Sequence, residues 1–175
     1  MKRILVVVDM QKDFVDGSLG TAEAVAIVPV VVKKIKDFEG TIFVTYDTHF
    51  EDYLESEEGK KLPVPHCISG TPGWELDALV QEALEEKPYF AIQKYTFGSL
   101  ALAQLIAAET DGEEFSVELI GLCTDICVVS NALILKANFP EVPISVDASC
   151  CAGVTPELHE AALATMQSCQ IDILR

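Results

Sequence analysis

The chain has 175 residues, half of them apolar, which suits one domain with one substantial core and leaves no segment biased toward disorder. Aspartate and glutamate outnumber lysine and arginine 28 to 12, for a formal charge of −16. That balance argues against nucleic acid and anionic membrane as partners, since both need a basic footprint, and describes a well-solvated surface.

Strand-like runs alternate with helical patterns along the chain. The first run, Ile4–Val8, places only five apolar residues before Asp9. A secretory core needs about 7–15 and a membrane span about 18, so a cytoplasmic protein is expected. A helix is expected over 23–38, where Pro29 argues for a kink or a start nearer Val28. Thr41–Thr45 is the second strand. The stretch 47–72, rich in acids, Gly and Pro, reads as irregular and too long for a simple connection, which marks a functional or disordered loop. A helix over 73–86 follows, then a strand Tyr89–Gln93 that ends at Lys94, a helix over 98–110 and a strand Ser116–Gly121. The helix expected over 124–137 carries Cys127 in its first turn. Pro143–Val146 and Ile171–Leu174 are the last strands, on either side of a helix over 156–168. Thr155 is that helix's N-cap and Pro156 its first residue, with Leu158, Ala161, Ala162, Thr165 and Met166 on one face.

Short strands that are apolar on both faces, separated by helices, imply an α/β fold. It is a single domain over 1–175, doubly wound, with a mostly parallel six-stranded sheet and helices on both faces. Ligands in such folds bind outside the carboxyl ends of the strands. Asp9 ends strand one, Asp47 follows strand two, Lys94 ends strand three and Cys123 follows strand four. Four polar or reactive groups thus fall where a site belongs.

The segment Gly121-Leu-Cys-Thr-Asp-Ile-Cys127-Val-Val runs from a strand into a helix. Unpaired amides and the helix dipole there favour a Cys127 thiolate, and the same amides can bind an oxyanion. The following helix is apolar nearly all round, so a packing cysteine fits the segment equally well. Asp9 reads as a turn aspartate, or as a buried acid that is costly unless paired or catalytic. Lys94 alone reads as a solvated strand end. Together the three acquire a chemistry: a cation and a helix terminus lower the thiol pKa, and a carboxylate takes and returns the proton. The six cysteines, at 67, 123, 127, 150, 151 and 169, are expected as thiols, with no paired C-x-x-C to build a zinc cluster.

Two of the three histidines, His49 and His66, bracket the 47–72 stretch, and Asp47 points to the same side as His49 in an extended chain. One carboxylate with two imidazoles suits zinc, iron or manganese; solvated loop groups are the alternative. His159 lies off its helix's apolar face and reads as surface.

In their order and spread, these pieces resemble the isochorismatase-like cysteine hydrolases, and within them the nicotinamidases. The matching segments are Asp9-Met-Gln-Lys-Asp-Phe-Val-Asp-Gly-Ser-Leu19, Asp47-Thr-His49, Pro65-His-Cys-Ile-Ser-Gly-Thr71, Lys94, Gly121-Leu-Cys-Thr-Asp-Ile-Cys-Val128 and Asp147-Ala-Ser-Cys-Cys-Ala-Gly153. The resemblance implies a triad of Asp9, Lys94 and Cys127, an oxyanion hole from the amides of Cys123 and Cys127, and a cis peptide between Leu122 and Cys123. It also implies one divalent transition metal (zinc, iron or manganese) on Asp47, His49, His66 and a loop acid, with Glu58 preferred to Glu55. That metal would anchor a substrate's ring nitrogen. Phe14 matches one aromatic of the family's pocket. Pro63 stands where the family places another, which leaves Phe97 or Trp74 to supply that wall and implies a weaker hold on the ring.

The activity so implied is hydrolysis of a small amide, nicotinamide to nicotinate and ammonia, through a thioester on Cys127. The partner is a small-molecule amide substrate, and the resemblance admits a homo-oligomer. Within the superfamily, the alternatives are a carbamoyl or ureido amidohydrolase and isochorismatase-type vinyl-ether hydrolysis, which needs no cysteine. Outside it stands a non-enzymatic binding or thiol-redox module using Cys123 with Cys127 or Cys150 with Cys151, disfavoured because adjacent cysteines pair only through a strained ring.

Overall fold

Side chains alternate in direction along the first strand while residues 4–8 all stay buried, as a sheet covered on both faces requires. Ile4, Val6 and Val8 pack to one side and Leu5 and Val7 to the other, with none of them reaching solvent. In the computed structural model, which describes residues 1–175, six strands form one sheet. They are β1 (Lys2–Val8), β2 (Thr41–Asp47), β3 (Tyr89–Lys94), β4 (Phe115–Leu122), β5 (Ile144–Ala152) and β6 (Asp172–Leu174). Their order across the sheet is β3-β2-β1-β4-β5-β6, and every pairing is parallel.

Parallel neighbours need crossovers, and helices supply them. In chain order these are α1 (Lys12–Val15), α2 (Ala22–Asp37), α3 (Glu57–Lys61), α4 (Ala78–Glu85), α5 (Leu100–Thr110), α6 (Val129–Asn138) and α7 (Pro156–Ser168). α1, α2 and α4 pack on the face that carries Leu5 and Val7; α5, α6 and α7 pack on the face that carries Ile4 and Val6. The chain lays down β2 and β3 on one side of β1, then returns to place β4 on its other side. The crevice that this reversal opens lies between the ends of β1 and β4. Gly121 lets the two strands close up there: its φ is +115°, and a Cβ would stand 2.1 Å from the Val8 carbonyl oxygen.

Several elements differ from the sequence reading, each for a local reason. α2 starts at Ala22 rather than near Val28 and keeps Pro29 inside it. Thr21 caps it, accepting the Ala24 N–H at 3.0 Å, and Pro29 lies on the exposed face while Ala24, Ile27, Val28, Val31 and Ile35 stay buried. That packing outweighs the ~3 kcal/mol cost of an internal proline. The stretch 47–72 is not irregular throughout; it holds a 3-10 turn at Tyr53–Glu55 and then α3. α4 begins only at Ala78, because Asp77 caps it through the amides of Leu79 and Val80. β5 continues well past Val146. Its polar residues are satisfied within the fold: Asp147 meets Lys34 Nζ at 2.7 Å and the Ser149 hydroxyl at 2.6 Å.

The helix expected over 124–137 begins instead as a wide π turn, Thr124–Val128, and is α-helical only from Val129. α7 has the expected bounds and its Thr155 cap, but its buried face is Ala162, Leu163 and Met166. Leu158, Ala161 and Thr165 face solvent, a register one residue off the apolar face read from sequence. No helix is long and apolar enough to cross a membrane.

Candidate active site

Strand register assembles the first layer of the site. β2 and β3 pair Asp47 with Lys94, and β1 and β2 pair Val8 with Thr45, next to Asp9. Asp9 turns the chain in the left-handed region (φ 47°), which aspartate tolerates better than most residues. Lys94 Nζ lies 2.7 Å from Asp9 Oδ2, 3.0 Å from Asp47 Oδ1 and 3.4 Å from Cys127 Sγ. All four residues are buried. The Thr45 hydroxyl donates to Asp9 Oδ1 at 2.6 Å. Asp9 Oδ2 has the ammonium beside it, out of hydrogen-bond alignment, and so keeps no hydrogen-bond donor of its own.

These contacts set the protonation. Burial pushes Asp9 above the usual carboxylate range, against the pull of Lys94. Burial also pushes the Cys127 thiol well above its ordinary value, and the charge of Asp9 adds to that more than Lys94 subtracts. The expectation that a cation and a helix terminus lower this pKa therefore fails. Cys127 rests as a thiol beside the Lys94 ammonium. Burial disfavours the Lys94 charge too, but the carboxylates of Asp9 and Asp47 reverse it and hold the ammonium charged.

The π turn brings Cys127 to this cluster. Cys123 O accepts from the amides of Ile126 and Val128 at 3.1 and 3.0 Å, and the Leu122–Cys123 peptide is cis, as the resemblance implied. Asn131, fully buried one turn on, donates to Cys127 O at 2.8 Å and to Phe97 O at 3.3 Å, and accepts from Ser99 N at 2.9 Å. It ties the cysteine turn to the loop after β3. His159, read from sequence as surface, is half-buried and bonds the Thr124 hydroxyl through Nδ1 at 2.8 Å.

A second cluster shares Asp47. The ligand atoms of Asp47, His49, Glu58 and His66 all lie within 4.8 Å of one another. His49 Nε2 is 3.0 Å from Asp47 Oδ2 and 3.6 Å from Glu58 Oε1, and His66 Nε2 is 3.5 Å from each of the same oxygens. A tetrahedral zinc site has ligand-to-ligand edges of about 3.3–3.4 Å, and four of the six donor pairs here lie at 3.0–3.6 Å, so the chemistry and spacing of the set suit a metal ion. The electrostatics fit as well. His66 donates Nδ1–H to Val64 O at 2.8 Å, which turns Nε2 toward the two carboxylates. Burial lowers the His66 pKa, but hydrogen bonding to Asp47 and Glu58 overcomes it and carries the value to about 9. Donors that draw a proton this strongly offer the same lone pairs to a divalent cation. Glu58, and not the exposed Glu55, joins the cluster because α3 aims it. Ser56 caps α3 through Gly59 N at 2.9 Å, and a Cβ at Gly59 would meet the Tyr53 carbonyl oxygen at 2.0 Å.

A cavity of about 710 Å³ is lined by Cys123 and Cys127 together with the Asp47, His49, Glu58 and His66 set. Phe14 and Phe97 line it as expected, and the Phe14 ring lies 5.4 Å from that of His66. Trp74 does not: its Nε1 donates to the Thr48 hydroxyl at 2.9 Å and its ring packs on Tyr46. Pro63 is also outside, and Leu62 occupies the wall instead. Sequence reasoning passed over Gln11, Thr45 and Asn131. Gln11 brackets Asp47, accepting from its N–H at 2.7 Å and donating to its carbonyl at 2.8 Å. The signal available for all three was a polar residue within or next to an apolar run.

A family model described as the isochorismatase domain matches residues 3–175. The chain is 27% identical over 190 aligned positions to a nicotinamidase/pyrazinamidase of Mycobacterium tuberculosis, an alignment covering 98% of each. Among solved structures it superposes on nicotinamidase/pyrazinamidase from Bacillus subtilis with a TM-score of 0.84 at 26% identity, covering all of both chains. It superposes equally well, at 27% identity, on a pyrazinamidase of Pyrococcus horikoshii in complex with zinc, covering 100% of this chain and 99% of that one.

Lys94→Met is expected to leave two buried carboxylates without their cation and to cost about 3–5 kcal/mol. Urea unfolding of variant and wild type, both stripped of metal, measures this. A loss below ~1 kcal/mol would show that water reaches Asp9 and Asp47.

Proposed function

The chain belongs to the isochorismatase family, and from that premise we propose that it hydrolyses a small aromatic amide, nicotinamide, to the carboxylic acid and ammonia. One observation carries the reading: a buried cysteine in contact with Lys94, which is paired with Asp9, shares one cavity with a four-donor cluster. The cluster favours an amide with a ring nitrogen over carbamoyl or ureido substrates, which have none to anchor. We read residues 1–175 as one hydrolase domain acting in the cytoplasm, with neither nucleic acid nor membrane as partner.

Asp9 serves as the base. Its raised pKa makes it a stronger proton acceptor, and it receives the Cys127 proton as sulfur attacks the carboxamide carbon. Proton transfer accompanies attack, because the resting thiol is not ionised. Lys94 holds sulfur and carboxylate at fixed distance and compensates the negative charge that develops on either. The amides of Cys123 and Cys127 receive the carbonyl oxygen. Asp9 then returns the proton to nitrogen, the C–N bond breaks, ammonia leaves and a thioester remains on Cys127. Asp9 next takes a proton from water, hydroxide adds to the thioester carbon, and the proton goes back to sulfur as the acid departs. A divalent zinc, iron or manganese ion on Asp47, His49, Glu58 and His66 supplies a Lewis-acidic anchor that orients the substrate. Phe14 and Phe97 offer ring faces to an aromatic substrate.

Cys127→Ala is expected to abolish ammonia release from nicotinamide by a folded protein; turnover near wild type would remove Cys127 from the chemistry. Purified protein is expected to hold about one transition-metal ion per chain. Glu58→Gln should lower that content by elemental analysis while Glu55→Gln should not, and equal retention in both would exclude Glu58 as a ligand. Leu62→Phe should lower KM for nicotinamide several-fold, since a stacking face contributes about 1 kcal/mol, while Pro63→Phe should leave KM unchanged. The reverse pattern would mean that the wall is built from Pro63.

A further inference from the structure

The turn that presents Cys127 has no side-chain cap of its own. Wide turns of this kind give up regular hydrogen bonding for a particular backbone path, and that path must be held from outside. Here the hold comes from α7, an element that contributes nothing to the cavity and none of the groups assigned above. Thr124 opens the turn, is wholly buried, and hydrogen-bonds to His159 Nδ1 at 2.8 Å. Asp125, the next residue, accepts the Val154 N–H at 3.0 Å just ahead of α7. Gly153 lies between them so tightly that a Cβ would stand 2.8 Å from His159 N and 2.9 Å from Asp125 Oδ1. α7 is itself a firm support, with Thr155 capping Leu158 N and Pro156 starting the helix one turn before His159.

We propose that His159 is a positioning residue for the reaction, fixing the π turn through the Thr124 hydroxyl so that Cys127 Sγ stays in register with Lys94 and Asp9. The physical case is directional. A buried hydroxyl without a partner is unfavourable, so Thr124 keeps its bond, and a β-branched side chain has few rotamers through which to make it. The turn is thereby pinned at its first residue, while Asn131 pins it at the Cys127 carbonyl. The sulfur is held from both sides. A small drift of the turn lengthens the 3.4 Å contact to Lys94 and takes the thiol out of reach of Asp9. His159 touches neither substrate nor reacting atoms; it acts through Thr124.

The proposal rests on Cys127 being the nucleophile, so the decisive readout is chosen to need no turnover. In the full-length chain, Thr124→Val, His159→Leu, His159→Asn and the Thr124→Val/His159→Leu double variant are compared. Cys127 carbamidomethylation by iodoacetamide is timed by mass spectrometry, alongside kcat and KM for nicotinamide and the thermal midpoint. Thr124→Val and His159→Leu should each slow alkylation and lower kcat by about fivefold or more, with KM within about twofold of wild type. The double variant should be no slower than the slower single, as expected of two residues acting through one bond. His159→Asn, whose amide sits where the imidazole Nδ1 was, should recover most of the rate. Alkylation of His159→Leu at the wild-type rate, a double variant in which the two losses multiply, or a rate loss that follows only the thermal midpoint would each overturn the proposal. Should nicotinamide prove not to be the substrate, kcat falls away as a readout while the alkylation comparison still decides.

Discussion

Lys94 carries its ammonium group into the interior at 2 % exposure, held by Asp9 and Asp47 and in contact with the sulfur of Cys127. A charge buried this deeply costs several kcal/mol unless its surroundings are built for it, and much of the local structure is what that building requires. Parallel register sets Asp47 beside it, and the turn after β1 brings Asp9. The Thr96 carbonyl accepts a further hydrogen bond at 3.2 Å. The arrangement stands at the carboxyl ends of β1, β2 and β3, beside the reversal of strand order where a doubly wound sheet leaves its crevice.

Asp47 is what joins the two halves of the site. One oxygen faces Lys94 at 3.0 Å and the other faces His49 at 3.0 Å, so a single carboxylate serves the ammonium on one side and the donor cluster on the other. Lys94 and the two imidazoles together keep Asp47 charged against the effect of its burial. Any cation in the cluster is thereby held in fixed relation to the cysteine, because both are referenced to one residue whose backbone is clasped by Gln11. Under the proposed function that relation sets selectivity: a ring anchored at the donor cluster would present its substituent to the Cys127 sulfur. Orientation of this kind is where a site with an un-ionised thiol gains its rate.

The polar residues around the centre are mutually satisfied. Thr45, Gln11 and Asn131 are buried and each makes hydrogen bonds to groups that the site uses or to the backbone that carries them. The exception is Asp9 Oδ2, which has charge beside it and no donor aligned with it.

The alternation of apolar strands and helices was legible from the residues, because parallel strands buried on two faces and amphipathic helices leave periodic traces. From that alternation came the α/β class and the expectation that Asp9, Asp47, Lys94 and Cys123 converge, since strand ends in such a sheet share one edge. The resemblance then added roles and order to the same positions. The chain by itself left undecided whatever depends on partners distant in sequence. Pro29 sits inside a helix because the buried face outweighs it, and β5 runs on through Asp147 because Lys34 meets it. Glu58 reaches the cluster because a five-residue helix turns it inward, while Glu55, exposed, ends the 3-10 turn before that helix. The thiol pKa rises instead of falling because burial and the Asp9 charge together exceed the effect of the cation that sequence logic emphasised. His159, off the apolar face by its period, is held inward by a hydroxyl on another element. Local pattern determines which elements form and which ends carry chemistry; desolvation and long-range pairing, which no window of sequence contains, decide the protonation and the aim of each group.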